Sequence, residues 1–190
     1  MRSALLVPVA ALLSLEIVAC SRHPPTAMVV AVSSEGRAPE ELDELDLVVT
    51  RGGDQKFSQV YALPKDALLP GTITFYDPGG KTPDQVMDIQ VQARLAGGAV
   101  RVVRHARLGF EKDKTKLLRM PLHYSCFDFG CPGDQTCHAG SCVAPDVDVT
   151  TLADFTSEAQ VVVRAPANGA PSNACFVAAT CLKNLETVMH

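Results

Sequence analysis

Residues 87–95, MDIQVQARL, alternate without a break. Met87, Ile89, Val91, Ala93 and Leu95 fall on one side of an extended chain, and Asp88, Gln90, Gln92 and Arg94 on the other. A helix would scatter these residues around its circumference, whereas a strand places every second side chain on one face. The stretch therefore predicts a strand in a sheet with one face on a core and the other in water.

The same period governs the chain from Met28 onward. AMVVAV (27–32) is a continuous apolar run, and ELDLVVTR (44–51) leads through Gly52-Gly53-Asp54 into KFSQVYAL (56–63), the pattern of a hairpin. GTITFYD (71–77) is closed by the breaker-rich loop DPGGKTPD (77–84). After an AGGA turn comes VRVVRHARLGF (100–110), with Val100, Val102, Ala106 and Leu108 expected inside, and a KDKT turn returns KLLRMPL (116–122). APEELDELD is read as a turn or one-turn connector. Seven short strands over roughly 95 residues predict a mainly β fold, an antiparallel sandwich of immunoglobulin or transthyretin-like type spanning 28–123. A further strand is expected at AQVVVRA (159–165), after an irregular linker APDVDVTTLADF. NACFVAATCLKNL (173–185) fits helix or hairpin.

After Tyr124 the alternation stops and cysteines take over. Residues 126–142, CFDFGCPGDQTCHAGSC, hold Cys126, Cys131, Cys137 and Cys142. Zinc knuckles pair their ligands closely and leave a longer middle segment, whereas the middle gap here is too short for two knuckles. With Cys175 and Cys181 the count outside the N-terminal segment is even, which in an exported chain reads as a disulfide framework. Four cysteines allow three pairings, and all three stay open at the level of sequence. The interlaced one, Cys126–Cys137 with Cys131–Cys142, locks a small coreless knob (124–145) better than two adjacent loops, so it is the expected one. Cys175 and Cys181 are expected to close on each other within the C-terminal segment 146–190. Six residues apart, they face different sides of a continuous helix, so their pairing requires a turn, a hairpin or an interrupted helix.

Export is argued from the other end of the chain. MRSALLVPVAALLSLEIVACSR has one basic residue, Arg2, before an apolar run from Ala4 to Leu15, the pattern of a signal peptide over residues 1–19. Ile17-Val18-Ala19-Cys20 resembles the lipobox of bacterial lipoproteins, with Ile in place of the commoner Leu and Glu16 closing the run. The competing readings are a plain secretory signal and a buried N-terminal helix. The lipobox implies acylation of Cys20, a palmitate-type lipid anchor, and a tether over 20–27. Ser21 resembles the default signal for the outer membrane, with the periplasmic or surface leaflet open. Two or more acyl chains hold a protein at a bilayer, where one does so only marginally.

CPGDQTCHAGSCV is similar to the C-P-x-G-Q-T-C-x-x-G-x-C-V knobs of myxobacterial-type secreted proteins and lipoproteins, in which a β-sandwich ending in a short basic strand precedes the knob. RLGFEKDKTKLLRMPLHYSC matches that preface. Activities are not assigned to such chains, so the likeness implies compartment and layout.

Nothing in the sequence assigns a catalytic residue, a metal or a cofactor. It has no Gly-x-Ser-x-Gly elbow, no His-Glu-x-x-His pair and no phosphate-cradling glycine loop. His105 is expected as a solvated histidine on the outer face of its strand, and His138 as an exposed turn residue. Asp146, Asp148 and Asp154 lack the glycine and terminal Glu of a calcium loop. A formal net charge of −4 argues against a nucleic-acid partner. The sequence thus predicts a non-catalytic, lipid-anchored envelope protein with a structural or partner-binding role, touching the membrane through its lipid and an envelope protein or glycan through its folded part. The alternatives are a small-ligand or sugar-binding module, with DPGGKTPD as the candidate loop, and an enzyme whose residues are dispersed.

Overall fold

The computed structural model describes residues 24–77, 85–95 and 97–161, and the backbone of 186–188. Seven strands form the sandwich: β1 (Ala27–Ser34), β2 (Glu44–Arg51), β3 (Asp54–Ala62), β4 (Gly71–Tyr76), β5 (Met87–Arg94), β6 (Val100–Leu108) and β7 (Thr115–Leu122). A knob hairpin, β8 (Thr136–His138) and β9 (Ser141–Val143), follows, and β10 (Glu186–Val188) lies near the C-terminus. One sheet has the order β10-β4-β1-β7 and the other β3-β2-β5-β6. The second is antiparallel throughout. In the first, β1 runs antiparallel to β4 but parallel to β7, with Ala27 beside Thr115 and Ser34 beside Leu122. An immunoglobulin arrangement places its first two strands in one sheet. Here β1 and β2 lie in opposite sheets of the sandwich.

Alternation decides which side chains meet between the sheets. Leu45, Leu47 and Val49 of β2 and Met87, Ile89, Val91 and Ala93 of β5 are buried against Ile73, Phe75, Met120 and Leu122 of the facing sheet. The uniformly apolar β1 is buried on both faces. Met28, Val30 and Val32 enter the main core, while Val29 and Ala31 join Leu117, Val161 and Phe155 in a smaller cluster on the outer face of the first sheet. The β2–β3 turn is made by Gly52 and Gly53, both at positive φ, as a tight two-residue hairpin demands.

The register shifts at two places in this sheet, at Val49/Thr50 in the β2/β3 pairing and at Ala93/Arg94 in the β5/β6 pairing. A register shift opposite Ala93/Arg94 puts Val100 beside Arg94 instead of on the core side, so Val100 is exposed where an inner position was expected, and Leu95 is exposed beyond the end of β5. Opposite the inward Val91 stands Arg104.

The chain after β7 closes one side of the sandwich. Strands β6 and β7 are the edges of their sheets on that side, and open edges invite pairing with other chains. Along β6, Arg101 O accepts from Asp128 N, His105 N donates to Thr136 Oγ1, and Arg107 exchanges bonds with Pro145 O and Val147 N. Along β7, Leu117 N donates to Ala153 O and Thr115 O accepts from Phe155 N. The strand expected at 159–165 does not begin there: Glu158–Gln160 form a 3-10 turn held by a Ser157/Gln160 capping box, and residues 162–165 lie outside the described residues.

Lys116, buried on β7, clasps this segment. Its Nζ lies 2.8 Å from Asp154 Oδ1 and 2.9 Å from Glu111 Oε2 and donates to Leu152 O at 3.1 Å. Asp154 is held below its ordinary range mainly by its bond from Lys116, Glu111 by bonds from Lys114 and Lys116, and Lys116 is raised by Asp154 and then Glu111. Depressed carboxylates stabilise the fold above their unfolded values and lose that contribution as pH falls through the folded ones. The raised lysine contributes below its unfolded value and loses it as pH rises through the folded one. The clasp is therefore intact at neutral pH and opens in acid and in strong alkali. Amide exchange at Leu117 and Phe155, corrected for intrinsic rates, should accelerate at both extremes; protection unchanged in acid would show that the clasp carries no load.

Candidate functional site

The knob is built by four cysteines and a tight hairpin. Cys126 bonds Cys137 and Cys131 bonds Cys142, with Cα–Cα distances of 5.7 and 5.6 Å. This is the interlaced pairing, and it occupies all four sulfurs. Cys137 and Cys142 face each other across β8/β9, yet each bonds outside the hairpin, so the two bridges tie it to the strand-less stretch 126–131. Ala139 and Gly140 make its turn at positive φ. The knob does not stand apart from the sandwich: Cys126 and Cys137 are part of the main core, and Phe127 and Cys131 pack against it. Cys20, Cys175 and Cys181 lie outside the described residues.

Docking onto β6 uses a row of arginines. Arg101 forms a two-pronged pair with Asp128 at 3.2 and 2.7 Å, and Arg107 reaches Asp134 at 3.2 Å and Asp146 at 3.5 Å. Arg104 donates to Thr136 Oγ1 and Cys137 O, and burial pulls its pKa below the usual guanidinium value. Arg101 holds the Asp128 carboxyl below its ordinary range. His105 has the outward register expected, but its ring is largely covered instead of solvated, because Asp88 Oδ1 sits 2.6 Å from Nε2 on the neighbouring strand. The three aspartates considered for calcium do not converge. Asp146 faces Arg107, Asp148 caps the turn at Thr150, and Asp154 faces Lys116.

Because β7 runs parallel to β1, its end delivers the root of the knob to the tip of the sandwich where β1 also ends. Glu35 accepts from Tyr124 N at 2.7 Å and lies 3.0 Å from His123 Nδ1. The Tyr124 bond first, and His123 second, hold its carboxyl low. Tyr124 donates to Glu41 Oε1 at 3.1 Å and stacks on Phe127, whose ring packs on Gly36. The His123 and His138 rings meet edge to face, 5.3 Å apart; His138 is exposed, as expected, and partial burial, then Arg104 and His123, lower its pKa. Next to this cluster, loops 35–43 and 63–70 frame a cavity of about 340 Å³, lined by the apolar Leu63, Ala67, Leu68 and Leu69 and by the polar Ser34, Arg37 and Glu40.

Sequence reasoning did not find this tip. Its carboxylates sit in a stretch that reads as a connector, and their partners lie 83 to 89 residues away. Of DPGGKTPD only Asp77 is among the described residues; it lies at the opposite end, where β1 starts, and is committed to Arg51, while residues 78–84 lie outside them. No family model, curated protein or solved structure matches this chain.

Proposed function

We propose that the protein is a non-catalytic, lipid-anchored component of the bacterial cell envelope that presents a sandwich and its stapled knob to a partner. The observation that supports this best is the pair of interlaced bridges, which persist in oxidising compartments and not in a reducing cytosol. With the Ile17–Cys20 motif as the acylation signal, the chain is held through Cys20 in the outer membrane. Wild-type protein grown with labelled palmitate is expected to carry the label and partition into detergent with the outer-membrane fraction, and Cys20→Ala to lose both. Unlabelled wild-type protein in the soluble periplasmic fraction would overturn the anchor.

A further inference from the structure

The tip cavity has the size of a ligand site and an uneven distribution of charge. Pockets that take small ligands or side chains fall in the range of about 300–1,000 Å³, mostly apolar with a few placed polar groups. This one, at about 340 Å³, has a leucine and alanine wall in which Leu63 and Ala67 are buried and fixed. Of its two charged residues, Arg37 is already partnered: its backbone N donates to Glu41 Oε2 at 2.8 Å, and its Nε lies 3.6 Å from the same oxygen. Glu40 is exposed and has no hydrogen-bonding or ion-pairing partner among the described residues. A mainly apolar trough lined by one exposed, unpartnered carboxylate fits a side chain with an aliphatic stem and a cationic head, which buries the stem and keeps the charge in water.

The surroundings favour the same occupant. Residues 35–43 and 63–70 carry five carboxylates against two cations, a field that attracts basic segments. Tyr124, half-exposed and stacked on Phe127 next to Gly36, supplies an aromatic anchor beside the cavity of the kind that dominates protein contacts. Placement agrees too. The tether joins at Ala27, and β1 then carries the chain away for eight residues, about 25 Å, to the tip.

We propose that this tip is the partner-binding surface, and that it receives a lysine or arginine side chain from a basic segment of an envelope protein, the stem on Leu63, Ala67 and Leu68 and the cation on Glu40. The proposal rests on the envelope reading above and names the kind of partner. Its test uses the full chain in detergent micelles, as wild type and as Cys20→Ala, titrated with acetyl-tetralysine-amide and with the same peptide acetylated on every Nζ. Amide shifts are expected to centre on Gly36, Glu40 and Leu68, equally in both proteins. Glu40→Gln, Leu68→Gln or acetylation of the probe should each weaken binding by about fivefold or more. Equal binding of the acetylated probe, shifts spread over the whole acidic surface, or no shift at millimolar peptide would overturn the site. Loss of palmitate labelling with binding intact would instead overturn only the anchor.

Discussion

Asp77→Ala is expected to lower the stability of the sandwich by about 3–5 kcal/mol, the usual cost of breaking a buried ion pair by removing one partner. Arg51 and Asp77 are each only 5% exposed, and two guanidinium nitrogens face the two carboxylate oxygens at 3.5 and 3.4 Å. Arg51 ends β2 in one sheet and Asp77 follows β4 in the other, so the pair ties the two layers together at the end where β1 starts. The guanidinium also lies over the Phe110 ring, 5.3 Å from its centre. Removing Asp77 takes the two carboxylate oxygens away from a buried guanidinium. Replacing both partners by apolar residues of similar size removes the charge as well, so Arg51→Met with Asp77→Leu should recover most of the loss. Urea unfolding of the three proteins reads this directly. A single-mutant loss below about 1 kcal/mol would place the pair in the class of solvent-screened surface bridges and undo its role as a tie.

What the sequence made legible follows from the range over which each signal acts. Parity is local, and it located all seven strands and the inward faces of most of β5 and β6, because each residue's side depends only on its neighbours. It misplaced Val100 because a bulge opposite Ala93/Arg94 resets parity on β6 and leaves no mark in the alternation of either strand alone, and it misplaced Leu95 because β5 ends at Arg94. The parallel β1/β7 pairing was equally silent, since its partners are 88 residues apart and either direction buries Leu118 and Met120. The turn at Glu158–Gln160 had a signal that the valine run outweighed: Ser157 followed three residues later by Gln160 is a capping box, and the structure uses it. The tip was illegible for a different reason. Glu35, Glu41 and Tyr124 have ordinary surface chemistry one by one, and only the parallel return of β7 brings them together.

The two bridges of the knob should differ in what they hold. Cys126–Cys137 is the buried one, at 1% and 4% exposure, and Cys137 follows Thr136, whose hydroxyl accepts from both His105 N and Arg104. Cys131–Cys142 is half-buried and closes the outer part of the knob. Each spans the same eleven-residue separation, so the entropy each removes from the unfolded chain is the same, about 2–4 kcal/mol per bridge in that model. Chain entropy alone therefore predicts equal losses. Packing breaks the tie, because opening Cys126–Cys137 also loosens core atoms and frees the β6 edge, whereas opening Cys131–Cys142 leaves Thr136 in place. Cys126→Ala with Cys137→Ala is thus expected to cost at least 1 kcal/mol more than the outer pair, by about the scale of a small core deletion. It should also release exchange protection at His105 and Arg107, and make the protein associate as concentration rises, since an uncovered edge strand pairs with its like. Equal losses for the two pairs, with β6 still protected in both, would mean that the bridges only shorten the unfolded chain. Unequal losses with β6 released would make the knob the lid of a sheet edge, and would explain why a segment with so little apolar content is fastened twice.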